Sequence, residues 1–152
     1  MAIISSAVVG LLGLYAYALG RPPAPPVTAS ASLVRAALAA GGARQVLSFS
    51  IVVRSRAEEP MELVEVLAYA TTAGGATVTM ALPLGGPVAA TAATLASPAR
   101  LALPPGGSQT LYVNLTAPAS DPVTSVAFEV VFVTSGNSTV AACTNAVKVP
   151  SP

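Results

Sequence analysis

Side chains able to do chemistry are few in this sequence. It contains no His and no Trp, a single Cys (Cys143), a single Asp (Asp121) and a single Lys (Lys148). A Ser-His-Asp triad therefore cannot be built, and zinc sites of the His or Cys type fail with it. No phosphate-cradling loop of the GxxxxGK[ST] or GxGxxG kind occurs. Carboxylate pairs remain: Glu58 beside Glu59, and Glu62 with Glu65, could in principle share acid and base work. Glu58 and Glu59 adjoin Pro60 in a turn-forming stretch where solvated charges are expected, and Asp121 in Ser-Asp-Pro starts a turn for the same reason. The expectation is no catalytic residue, no metal ligand and no cofactor, and the chain is not read as an enzyme.

Two short motifs carry chemistry of another kind. Asn114-Leu115-Thr116 and Asn137-Ser138-Thr139 match the N-glycosylation acceptor N-x-[ST]. Asn114 falls on the side of its strand opposite Leu111, Val113 and Leu115, and Asn137 sits in a Ser-Gly-Asn-Ser turn, so both are expected at the surface. Cys143 cannot form an internal disulfide and is expected to pack in the core of an apolar strand.

Only 9% of the 152 residues are charged while 53% are apolar, against roughly 25% charged in an ordinary soluble domain. With a formal net charge of +1, such a surface lacks the interspersed charge that keeps monomers apart. Its exposed faces are expected to be covered by neighbours, by glycans, or by both. The seven basic residues are dispersed, which excludes nucleic acid as a partner.

These candidate residues need elements to hold them. Residues 1–20, MAIISSAVVGLLGLYAYALG, contain no charge, and a helix of that length spans about 30 Å, enough for a bilayer or the middle of a filament. Ala2, Ser6 and Gly10 recur at i, i+4, i+8 with Gly13 three further on, a small-residue stripe that permits close helix packing. Gly20 can cap the helix and Pro22 disfavours its continuation, so it is expected to end near Leu19. Residues 21–26, RPPAPP, form an extended spacer. The domain then runs over 27–152. Its first strand covers Val27 to Leu38, with a helical alternative over Ser32 to Ala40. Leu47, Phe49, Ile51 and Val53 alternate with Ser48, Ser50, Val52 and Arg54, the period of a strand covered on one face. Further strands are expected over Met61 to Thr71, Ala76 to Leu82, Arg100 to Leu103, around Leu111 to Leu115, around Val126 to Phe132, and over Thr139 to Val149. The fold class predicted is α+β, an N-terminal hydrophobic α-helix followed by an all-β immunoglobulin-like antiparallel sandwich of seven or eight strands.

A charge-free N-terminal helix, a short spacer and one such β domain together resemble a processed subunit of the archaeal type IV pilin and archaellin superfamily. Phrases such as VLSFSIVVRS and PPGGSQTLYVNLTAP look like the β-domain strands of those subunits. Ser5 stands where bacterial type IV pilins carry a glutamate, which disfavours that branch. The resemblance implies that a basic leader is cleaved ahead of the apolar helix, that the helices bundle in a filament core, and that the β domains form an outer wall often carrying N-linked sugars.

The function expected is a structural subunit of an extracellular filament for adhesion or motility. It is membrane-inserted before assembly, polymerises with copies of itself through Ala2, Ser6, Gly10 and Gly13, and carries glycans at Asn114 and Asn137. Two alternatives stand beside it: a membrane-anchored monomeric surface protein with an immunoglobulin-like binding domain, and a donor-strand fibre in which Val27 to Leu38 adds a strand to the next subunit.

Overall fold

A computed structural model describes residues 25–82, 93–96 and 101–151. They form ten strands: β1 (Val27–Ala39), β2 (Arg44–Ser55), β3 (Met61–Thr72), β4 (Thr77–Leu82), β5 (Ala93–Ala96), β6 (Ala102–Leu103), β7 (Ser108–Pro118), β8 (Val123–Thr134), β9 (Thr139–Cys143) and β10 (Val147–Lys148). The first sheet has the order β1-β2-β7-β5. The second has the order β10-β8-β3-β4, with β6 added beside β3 and β9 beside β8. Every pairing is antiparallel.

No helix occurs among the described residues, so the expected α+β class is corrected to an all-β antiparallel sandwich. The hydrophobic helix over 1–20, with Ala2, Ser6, Gly10 and Gly13, lies outside the described residues, as does most of the 21–26 spacer. The helical alternative for Ser32 to Ala40 gives way for a physical reason. Ala, Leu and Arg favour a helix in isolation, but Leu33 to Ala39 pairs along β2, and tertiary pairing overrides a weak local preference. Val27 to Leu38, the segment a donor-strand fibre would lend to the next subunit, pairs with β2 of the same chain. The strand expected over Thr139 to Val149 is interrupted at Thr144 to Ala146, leaving β9 and β10, and β5 is a strand that no sequence pattern announced.

Period-two alternation builds the core. Leu47, Phe49, Ile51 and Val53 of β2 and Leu111, Val113 and Leu115 of β7 point inward from one sheet, facing Val66, Ala68 and Ala70 of β3 and Val126, Phe128, Val130 and Phe132 of β8. Phe49 and Phe128 meet between the sheets edge to face, centroids 5.3 Å apart at 67°, a favoured aromatic geometry. The β1–β2 ladder carries one register shift and the β3–β8 ladder two, the second of these at Thr71/Thr72, and one in each sheet moves a charge. Between Leu33 and Arg35 of β1, and between Leu63 and Glu65 of β3, one extra residue (Val34, Val64) enters the register. Without it Arg35 and Glu65 would follow Leu33 and Leu63 into the core. With it both charges stand outside.

The sandwich has two distinct poles. At the near pole the Pro26 carbonyl accepts from the Arg56 amide at 2.7 Å and the Gly107 carbonyl from the Ser55 amide at 2.9 Å. At the far pole Ala119 N–H donates to the Ala43 carbonyl at 3.0 Å and Ala73 N–H to the Pro122 carbonyl at 2.8 Å. Asp121, expected to start a turn, instead closes one there: its N–H donates to the Pro118 carbonyl at 3.2 Å, and its carboxylate accepts from the Gly74 amide at 2.9 Å. The far-pole turn between β1 and β2 runs through left-handed backbone at Ala40 (φ 54°), Gly41 (φ 69°) and Gly42 (φ 90°), the last two at no steric cost. The 13 residues of β1 separate the poles by about 40 Å.

Candidate functional surfaces

The outer faces of the two sheets are the largest surfaces on which function could rest. On the first sheet, Arg44, Val46, Ser48, Ser50, Val52 and Arg54 of β2 face outward. Across the strands the rows read Ser32, Ser50, Tyr112 and Arg35, Ser48, Asn114. The Ser32 and Ser50 hydroxyls lie 2.9 Å apart, and Tyr112 is 53% exposed. This face is hydroxyl-rich and carries three exposed arginines, Arg35, Arg44 and Arg54. On the second sheet, Glu62, Glu65, Leu67 and Tyr69 of β3 face outward beside Glu129, Val131 and Val133 of β8 and Ala141 and Cys143 of β9, with Lys148 of β10 at one corner.

The second face holds a small titratable cluster. Tyr69 Oη donates to Glu129 Oε2 at 3.3 Å, and Cys143 Sγ lies 3.7 Å from the same oxygen. Cys143 is exposed, which corrects the expectation of core packing. On β9 it is Val140 and Ala142 that turn toward the core, and Cys143 has the opposite parity. Partial burial, then the Glu129 charge and its hydrogen bond, hold the Cys143 thiol above its ordinary value of 9.0. The same causes in the same order raise Tyr69 above 10.0. The thiol is thereby kept protonated and weakly nucleophilic. Glu58 and Glu59 are exposed in their loop as expected, and Glu59 accepts from the Ser135 hydroxyl at 2.8 Å. Among the described residues no group of three or more His, Cys, Asp or Glu side chains is placed to hold a metal ion.

The two acceptor motifs sit in unlike settings. Asn114 lies on β7, hydrogen-bonded between β2 and β5, and its carboxamide oxygen accepts from the Ser48 hydroxyl at 2.7 Å. Asn137 lies in the exposed β8–β9 turn with φ 62°. That turn is closed by Asn137 N–H to the Thr134 carbonyl at 3.0 Å and Thr134 N–H to the Ser138 carbonyl at 2.8 Å.

Two amide side chains that the sequence did not single out join the sheets. Gln45 is 2% exposed. Its Nε2 donates to the Val123 carbonyl at 3.2 Å and its Oε1 accepts from the Val123 amide at 2.8 Å. Asn145 does the same at the β1 edge, accepting from the Ala31 amide at 3.0 Å and donating to its carbonyl at 3.1 Å. Each amide satisfies both polar groups of a distant peptide, as a neighbouring strand would. Asn145 is also why the last strand breaks. Near Gln45, a groove of about 250 Å³ is lined by Ala36, Ala37, Leu38, Gln45, Pro150 and Ser151, below the usual volume of small-molecule sites.

No protein-family model matches this chain, and no curated protein sequence matches it. Solved structures share its fold. A Northeast Structural Genomics Consortium target aligns with a TM-score of 0.57 at 13% identity, covering 83% of this chain and 85% of its own. A Bordetella pertussis protein designated ApaA aligns with a TM-score of 0.56 at 13% identity, covering 86% of this chain and 98% of its own. The archaellum periplasmic stator complex FlaF and FlaG from Sulfolobus acidocaldarius aligns at a TM-score of only 0.31 with 12% identity, covering 75% of this chain and 87% of that one, too loose a likeness to bear on function. The first two define the class as an antiparallel β-sandwich and go no further. No helix among the described residues is long and apolar enough to cross a membrane.

Proposed function

We propose that this chain is a structural subunit of an extracellular filament of the archaeal type IV pilus kind, serving adhesion or motility. Its copies gather through their N-terminal segments, which lie in the membrane before assembly and inside the filament afterwards. The carrying observation is the run of residues 1–20 without one charge, attached to a chain that is only 9% charged. Such a run requires lipid or copies of itself as surroundings. Pro26 at the near pole leaves the far pole about 40 Å away, directed outward.

Negative-stain electron microscopy of sheared surface material, with the N-terminal residue read by mass spectrometry, tests the reading. Filaments built of this chain are expected. Release only by detergent, as single chains, would replace it with the membrane-anchored binding module.

N-linked sugars on this subunit belong at Asn137, whose turn stands clear of the sheet. Asn114 is a poor acceptor once β7 is paired and Ser48 holds its carboxamide. Glycopeptide mass spectrometry is expected to find sugar on the Asn137 peptide and a bare Asn114; sugar on Asn114 alone would reverse this assignment.

A further inference from the structure

The two outer faces carry opposite charge. Arg35, Arg44 and Arg54 are exposed on the first sheet, and none of the described residues on that face is acidic. On the second sheet Glu65 pairs with Val131 and Glu129 with Leu67, one rung (Val66 with Val130) lying between them, with Glu62 at the Val133 position two residues further along β8 and Lys148 the sole cation there among the described residues. We infer that the outer face of the first sheet of one copy docks on the outer face of the second sheet of the next copy.

Four observations favour a second copy in this orientation. Stacking like on like would set Arg against Arg or Glu against Glu, whereas first face on second face pairs them, and such complementarity fixes which surfaces meet. The strands of the first sheet, 13, 12, 11 and 4 residues long, lie about 4.8 Å apart and present on the order of 600 Å², at the lower end of what a stable interface buries per partner. Each face also offers an exposed apolar anchor inside its charges, Tyr112 (53% exposed) on the first and Val64 (50% exposed), in the β3 bulge, on the second. The competing contact, strand pairing along the β1 edge, is obstructed because Asn145 occupies both peptide groups of Ala31 and a bulge follows at Val34. Two different patches on one body make a head-to-tail contact, which propagates into an open helical array unless its rotation closes a ring. This contact does not use residues 1–20, so it can fail while the filament reading survives, and the reverse.

The test uses the full chain in detergent, so that the apolar segment is occupied. Sedimentation is expected to show association at low salt that is lost at high salt, as the screening length falls from about 30 Å at 0.01 M to about 3 Å at 1 M. The variant Arg35→Glu/Arg44→Glu/Arg54→Glu, with two negative faces, and the variant Glu65→Lys/Glu129→Lys, with two positive ones, should each stay monomeric. Mixed one to one they should associate again, because each restores the other's partner; a mixture that remains monomeric, or single variants that associate like the parent, overturns the inference. A Ser50→Cys chain treated with a short thiol-to-thiol cross-linker gives an independent readout that leaves the charges intact. Links between residue 50 of one chain and Cys143 of another, growing into ladders, are expected. Links only between like positions, or none, overturn it.

Discussion

Inward, the first sheet presents Leu47, Phe49, Ile51 and Val53, and the second presents Val126, Phe128, Val130 and Phe132, both rows wholly apolar. Outward, the first sheet shows hydroxyls and arginines while the second shows glutamates, aliphatics and a thiol. The shared interior sets the fold and says nothing about use. The contrast teaches that what this protein does is written on its outsides, and that a likeness to other sandwiches, which reports the interior, stops short of function.

The interior half of the comparison breaks most violently. Phe49→Ala and Phe128→Ala are each expected to lose about 3–5 kcal/mol of stability in urea unfolding, near equally from either sheet. Because the two rings touch, the double variant should lose less than the sum. The inter-sheet amides come next and are unequal. Gln45→Ala strands two buried peptide groups of Val123 and is expected to lose about 2–4 kcal/mol, whereas Asn145→Ala, at a half-buried edge, should lose about 1 kcal/mol.

The smallest effect sharpens the outer half. Glu129→Gln removes the charge that helps keep the Cys143 thiol protonated, so labelling by a thiol reagent at fixed, mildly alkaline pH should speed up, with no comparable change in urea stability. The sign for stability is fixed by the direction of the shifts. Tyr69 and Cys143 hold their protons more tightly in the native state than in the unfolded chain. Their contribution is complete below pH 9.0, the lower of their ordinary values, and is lost as pH rises through the raised native values. Urea midpoints should therefore fall at alkaline pH, less steeply in the Glu129→Gln variant.

Much of the sandwich was legible because alternation of period two is local. Leu47 to Val53 and Val126 to Phe132 announce their inward sides without any partner. What was hidden depends on distant partners or on one-residue shifts. Gln45 reads as an ordinary polar residue until Val123, 78 residues on, arrives beside it. Cys143 and the break at Asn145 were illegible because an apolar run gives no sign of which edge it will border. The outer charges were hidden by the bulges, since Leu-Val-Arg and Leu-Val-Glu read by simple alternation would bury both charges. The helix expected over 1–20 falls outside the described residues.

The opposed poles bear on how the molecule carries tension. Pro26 leads into β1 at the near pole, while Val149 N–H donates to the Thr124 carbonyl at the far one. A pull between these points drags β1 lengthwise along β2, loading its twelve paired positions in shear together rather than peeling them one after another, because ladder bonds lie across the strand axis. The far attachment is weaker, since β10 meets β8 at only two positions, so under such a load the C-terminal end gives way before the β1 ladder does.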